Sequence, residues 1–151
     1  MITIREGNLF DAPSGIICHQ VNCKGVMAKG VALQFKRIFP QTFTIYHALC
    51  ADKEPELLGK NLYNYEQGVP TCCMFAQFSY SFSGRSTDYD AFRSCCQKLA
   101  AHCEKENIST INMPYRIGCG LGHGLWSIVY EIIEQELSNF DVVLWKYKEP
   151  V

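Results

Sequence analysis

Two passages of this chain each run from a short apolar strand through a glycine-bearing loop into an amphipathic helix, and that pairing limits the fold more than any other feature. The first spans residues 17–39, ICHQVNCKGVMAKGVALQFKRIF. Ile16 and Ile17 lead into a strand, His19, Gln20 and Asn22 make a polar corner, and Gly25 and Gly30 punctuate the loop. Val31, Leu33, Phe35, Ile38 and Phe39 then suit a helix that starts near Met27 and stops before Pro40. The second passage is a strand over 109–113, Pro114, the loop RIGCGLGHG and an amphipathic helix over 126–137. A loop that feeds a helix N-terminus leaves backbone N–H groups unpaired, which is how many proteins hold a phosphate or diphosphate. One such loop is ordinary turn punctuation. Two of them on separate crossovers, over 22–30 and 118–124, meet at the carboxyl ends of the strands and can clamp a diphosphate from both sides. Neither loop is a G-x-G-x-x-G fingerprint or a Walker A motif, so the usual NAD and ATP cradles are disfavoured.

The remaining segments extend the alternation. The spacing predicts strands over 2–5, 15–21, 57–65, 71–78 and 142–147, a turn at Glu66–Pro70, and helices over 41–51 and 89–106. Thr87 is the expected N-cap of the last of these helices, with Asp88 and Asp90 in its first turn. Phe75, Phe78, Tyr80 and Phe82 read as a strand face, with Phe82 able to reach a ligand from the Ser-rich segment SYSFSGRST. There is no internal repeat and no linker, so residues 1–151 are expected to form one α/β domain, a largely parallel sheet flanked by helices.

The balance of 14 Lys+Arg against 15 Asp+Glu gives a net charge of -1, which supplies no broad basic field for a nucleic-acid duplex. Lys24, Lys29, Lys36 and Arg37 form a short basic patch that leaves such a partner open. The apolar runs are short, and the N-terminus lacks a basic segment followed by an apolar one, so a cytoplasmic protein without a membrane span is expected. The nine cysteines are odd in number and form no CxxC pair. Buried reduced thiols are therefore expected, rather than a disulfide framework or a metal site, and no cofactor is expected.

The segments GNLFDAP, VNCKGVMAKGVALQFK and MPYRIGCGLGHGLW together resemble the macrodomain family, in the same order and over nearly the whole chain. The resemblance implies a three-layer α/β/α macrodomain with a mixed, largely parallel central sheet. It also implies binding of ADP-ribose or an ADP-ribose derivative, with ADP-ribosylated protein as a further partner. Carried over by position, it puts adenine beside Asn8 and Leu9, and the distal ribose and diphosphate against Asn22, Gly25, Val26, Met27, Ala28, Lys29, Gly30 and Val31. Gly118, Cys119, Gly120, Leu121 and Gly122 would close over the diphosphate, and Phe75, Gln77 and His123 are further ligand-binding candidates. Relatives have glycine where this chain has Ala28, and the methyl narrows the backbone choices there.

The branch that the chain resembles includes ADP-ribosyl glycohydrolases that use a lysine nucleophile and an acidic helper, and phosphatases of ADP-ribose-1''-phosphate. Here no lysine occurs between Lys60 and Lys98, Gln77 and Phe78 stand at the strand end, and Gly122 and Leu125 stand where relatives have Asp. Lysine chemistry is therefore disfavoured. The resemblance points to His19 and Asn22 as catalytic residues: an imidazole near its ordinary pKa acting as acid or base, and an amide that orients ribose or water. The expected activity is hydrolysis of a distal-ribose substituent, an O-acetyl ester or a 1''-phosphate. A reader that binds without turnover, or an ADP-ribosyl hydrolase that dispenses with the lysine, is the alternative.

Overall fold

In the computed structural model, which describes residues 1–80 and 84–148, six strands form one sheet in the order β1-β6-β5-β2-β4-β3. They are β1 (Ile2–Glu6), β2 (Ile16–Asn22), β3 (Asn61–Glu66), β4 (Val69–Gln77), β5 (Thr110–Pro114) and β6 (Asp141–Lys146). The helices are α1 (Gly30–Ile38), α2 (Pro40–Lys53), α3 (Tyr89–Lys105) and α4 (Trp126–Glu136). Every strand pair is parallel except β3 with β4, which are joined by the tight turn Gln67-Gly68. The sheet is thus mixed and mostly parallel.

The period-two alternation of β4 shows why the sheet needs a helical layer on each face. Cys72, Met74 and Ala76 point into one core with Phe92, Cys95, Cys96 and Leu99 of α3 and Val129, Ile132 and Ile133 of α4. Cys73 and Phe75 point into the other, with Phe35 of α1 and Tyr46 and Cys50 of α2. A strand buried on both faces reads as a continuous apolar run, as VPTCCMFAQ does. All nine cysteines are unpaired; eight are buried as small apolar fillers and Cys119 is half-buried.

Several expected boundaries move for local reasons. Helix α1 starts at Gly30 rather than near Met27, because Lys29 is extended (φ -146°, ψ 157°) and Gly30 has φ 60°. Met27 is instead a buried loop residue, packed with Phe35 and Phe39. The N-cap of α3 is Asp88, whose carboxylate accepts from Ala91 N at 2.9 Å, and not Thr87. Residues 57–60 belong to a turn ahead of β3, and β4 ends at Gln77, so Phe78 and Tyr80 lie beyond the strand. Phe82 lies outside the described residues. The N-terminus of α2 receives a remote cap, since the buried Glu66 carboxylate accepts from Thr42 N at 2.7 Å and Thr42 Oγ1 at 2.8 Å.

Candidate functional site

From β2 the chain passes to β3 and β4 on one side of the sheet, and from β5 it passes to β6 on the other side, next to β1, so the direction of winding reverses between β2 and β5. Open α/β sheets bind ligands at such a switch point. The two strands pair only through Ile16 and Ile17 with Ile111 and Asn112. Beyond those residues they part, and a cleft of about 570 Å³ opens between the loop after β2 and the loop after β5. That volume suits a mononucleotide-sized ligand.

On the β2 side the wall is formed by His19, Gln20, Val21, Asn22, Val26 and Ala28, continuing into Lys29, Gly30, Val31 and Ala32 of the α1 start. No side chain caps α1, so its first N–H groups reach the cleft edge unpaired by any cap. Across the cleft, Pro114–Gly118, Gly120, Leu121 and Gly122 form the facing wall. Among the described residues the N–H groups of Gly120, Leu121 and Gly122 have no protein acceptor, whereas Cys119 N, His123 N and Gly124 N are spent within the loop. Gln77 and Tyr80 close the end near β4. The result is an anion cradle built mainly from main-chain donors, with Lys29 and Arg116 as its cations.

Asn22 is the staple of the first loop. Its Oδ1 accepts from Lys24 N (3.0 Å), Val26 N (3.3 Å) and Tyr46 Oη (2.9 Å), and its Nδ2 donates to Val26 O (2.9 Å). One Nδ2 hydrogen remains for a ligand. His19 is 1% exposed and stacks on Phe35 with ring centroids 4.1 Å apart. Burial lowers its pKa from 6.5 to about 3, which corrects the expectation of an imidazole near its ordinary pKa. The ring is neutral at physiological pH. Its Nε2 lies 3.4 Å from Cys73 Sγ, a thiol that burial keeps protonated, and its Nδ1 has no partner. Gln20 Oε1 is also buried without a partner. Both residues line the cleft, while these two atoms are themselves shielded from solvent.

The remaining expected residues lie around the cleft rather than on its wall. Asn8 is the N-cap of a 3-10 turn over Leu9–Asp11, its Oδ1 accepting from Phe10 N at 2.9 Å. Leu9 is buried against Ile17 and Trp145. Gly25, with φ 79°, sits over His47 and Cys50. Phe75 is an interior residue stacked on Tyr46, Cys119 is half-buried within its loop, and His123 is exposed with φ 57°. Sequence reasoning missed Gln20, Tyr115, Arg116 and Thr87. For Gln20 a signal existed, since strand alternation puts it on the face opposite to His19. For Thr87 none did, because its partners are 31 and 67 residues away. Among the described residues no group of three or more His, Cys, Asp or Glu side chains could hold a metal ion, and no helix is long and apolar enough to cross a membrane.

A three-layer α/β/α domain with an open cleft at the switch point, edged by two sets of unpaired main-chain donors, defines a binding domain for an anionic small molecule. The chain belongs to the macrodomain family: the family model for the Macro domain matches residues 18–133. It is 29% identical to a DNA ADP-ribosyl glycohydrolase of Thermus aquaticus over 100% of this chain and 42% of that protein, and the solved macrodomain of Thermus aquaticus DarG gives a TM-score of 0.79 at 26% identity and 99% coverage of each chain. It is 46% identical to an ADP-ribose 1''-phosphate phosphatase of Aspergillus clavatus over 46% of this chain and 33% of that one. A solved protein of unknown function from Bacteroides thetaiotaomicron superposes with a TM-score of 0.86 at 26% identity, covering 97% and 98% of the two chains. The chain spans less than half the length of the two curated relatives named.

Proposed function

We propose that this chain binds ADP-ribose in the β2–β5 cleft and hydrolyses a substituent on its distal ribose, an O-acetyl ester or a 1''-phosphate, through a positioned water. The observation that carries the reading is the pair of facing main-chain donor sets, the α1 N-terminus and the N–H groups of Gly120–Gly122, across about 570 Å³. A diphosphate can accept from donors on both walls, and the names of the glycohydrolase and phosphatase relatives support ADP-ribose as its source. In this reading the free Nδ2 hydrogen of Asn22 and the unpaired Nδ1 of His19 hold the ribose and the attacking water. Water adds to the carbonyl or phosphoryl centre, its proton passes to the imidazole, and the imidazolium returns that proton to the departing ribose oxygen, which leaves as a hydroxyl. A phosphate seated beside His19 raises the imidazole pKa back towards neutrality, which suits the phosphate ester. The nine unpaired thiols support a reducing compartment such as the cytoplasm.

A reader that binds without turnover is favoured by a different observation: the described wall contains no Asp or Glu, and its one histidine has a pKa of about 3. Removal of ADP-ribose from protein or DNA would have to use Lys29, the one lysine on that wall. Calorimetry with ADP-ribose, followed by one panel of acetyl-ADP-ribose, ADP-ribose-1''-phosphate, ADP-ribosylated glutamate and ADP-ribosylated DNA, separates these readings. Acetate or phosphate release, slowed in His19→Ala and Asn22→Ala, is the expected result. Binding with no product from any substrate leaves the reader. Absence of ADP-ribose binding sinks the whole assignment.

A further inference from the structure

The second loop is wrapped around a single hydroxyl. Thr87 is 2% exposed, and its Oγ1 donates to Gly118 O at 2.7 Å while accepting from Gln20 Nε2 at 2.8 Å. The N–H groups of Ser86 and Thr87 donate to Gly122 O at 2.9 and 3.0 Å, and Gly124 N donates to Gly118 O at 2.8 Å. Three glycines of the loop answer to the same side chain. A methyl on Gly118 would approach Thr87 Oγ1 to 3.3 Å and Gln20 Oε1 to 2.8 Å, one on Gly124 would come within 3.5 Å of Thr87 Cβ, and one on Gly122 would overlap Thr87 Oγ1.

The direction of these bonds is fixed by counting protons. Gln20 Nε2 has two hydrogens, which go to Thr87 Oγ1 and to Gln77 Oε1, each at 2.8 Å. Gln77 Nε2 donates onward to Ser79 O at 2.8 Å, so its amide orientation is set as well. Thr87 has one hydroxyl proton, and because Gln20 already donates to its oxygen, that proton goes to Gly118 O. The carbonyls of Gly118 and Gly122 are both occupied by donors from the α3 approach, while the N–H groups of Gly120, Leu121 and Gly122 keep no protein partner among the described residues. The two carbonyls at the ends of that stretch, which would repel an anion, are thereby held by donors, and the stretch between them carries three N–H groups without a protein acceptor.

We propose that Gln20 and Thr87 are positioning residues, a Gln77–Gln20–Thr87 hydrogen-bond relay that anchors the two ends of the loop over 118–122 and so holds its N–H groups in place for a diphosphate. The ligand rests on the ADP-ribose reading above; the relay itself does not. Thr87→Val keeps the shape and removes the proton, and Thr87→Ser keeps the proton. Gln20→Glu puts an acceptor where Nε2 stood, so the Thr87 proton turns to it and Gly118 O keeps only the Gly124 N–H.

The test has two readouts on each purified variant, after a melting curve to verify folding. Amide hydrogen exchange of the peptide covering 118–124 is measured without ligand, and calorimetry compares ADP-ribose with adenosine, which lacks the diphosphate. Loss of one buried hydrogen bond should speed loop exchange and weaken ADP-ribose by roughly tenfold in Thr87→Val and Gln20→Glu, with adenosine within about twofold and Thr87→Ser close to wild type. Unchanged exchange and unchanged ADP-ribose affinity in both variants would overturn the relay, and so would an equal loss for adenosine. If the wild-type protein binds no ADP-ribose yet loop exchange responds as stated, the relay stands and the ligand reading falls. Should Thr87→Val fail to fold, loop exchange in ligand-free Gln20→Glu carries the test, because a carboxylate on the cleft wall weakens a diphosphate by charge alone.

Discussion

Gly120→Ala is the sharpest test of where the ligand lies. Of the glycines in the second loop, Gly118, Gly122 and Gly124 are demanded by Thr87, Gln20 or the loop's own carbonyls, but a Cβ on Gly120 would meet nothing within 4 Å. Its φ is outside the left-handed region, so alanine brings no backbone strain of that kind. Folding stability should change by no more than about 0.5 kcal/mol, and reduced freedom of the unfolded chain can make the variant slightly more stable. Gly120 nevertheless lines the cleft with an unpaired N–H. If a diphosphate packs on that peptide, the methyl intrudes into filled space, an overpacking of about 1–3 kcal/mol, or roughly 5- to 150-fold in Kd. Gly122→Ala is the contrasting control. Its methyl would lie 2.7 Å from Gly118 O as well as overlapping Thr87, so it should lower the melting temperature by roughly 3–10 °C for the same range of energies. Differential scanning fluorimetry and calorimetry with ADP-ribose read the two effects separately. An alanine at 120 that binds ADP-ribose as tightly as the wild type would refute the placement of the diphosphate against this loop.

Four further outcomes are expected. Because burial holds the His19 pKa near 3 against 6.5 in the unfolded chain, its neutral form contributes stability that is complete above about pH 6.5 and is lost as pH falls towards 3, up to about 5 kcal/mol. His19→Phe should flatten that acid limb in urea midpoints measured against pH, and an unchanged limb would assign it to other groups. Asp88→Ala removes the N-cap bond to Ala91 N and should destabilise the fold by about 1 kcal/mol in chemical denaturation. With a thiol reagent the native protein should expose at most one reactive cysteine, Cys119, and the denatured protein nine, since the other eight are buried. Ala28→Gly, at an exposed position on the wall, should tighten ADP-ribose binding by roughly two- to fivefold if the methyl narrows the first loop, and should leave the melting temperature within about 2 °C.

The order and type of the elements followed from local patterning. Alternation in β4, periodicity in α1 and α3, and Pro40 as a stop are properties of adjacent residues, and so they are legible in a one-dimensional string. The two loops were legible for the same reason, as glycines between a strand and a helix. Misplaced details came where a distant group decides. Asp88 rather than Thr87 caps α3 because the Thr87 hydroxyl is taken by Gly118 and Gln20 across the sheet. His19 looked like an ordinary titrating imidazole beside a polar corner; Phe35 and Cys73, brought against it by α1 and β4, strip it of water and of its charge.

The sequence by itself therefore determined an α/β architecture, the two donor-bearing loops and the absence of a lysine at the end of β4, since each depends on neighbours in the chain. Only the tertiary structure decided that β2 and β5 part after two paired residues to open the cleft, that Asn22 is largely spent on its own loop, and that one threonine hydroxyl organises the facing wall. Those are matters of which atoms are left with unused hydrogen-bonding capacity once every element is packed, and that count closes only in three dimensions.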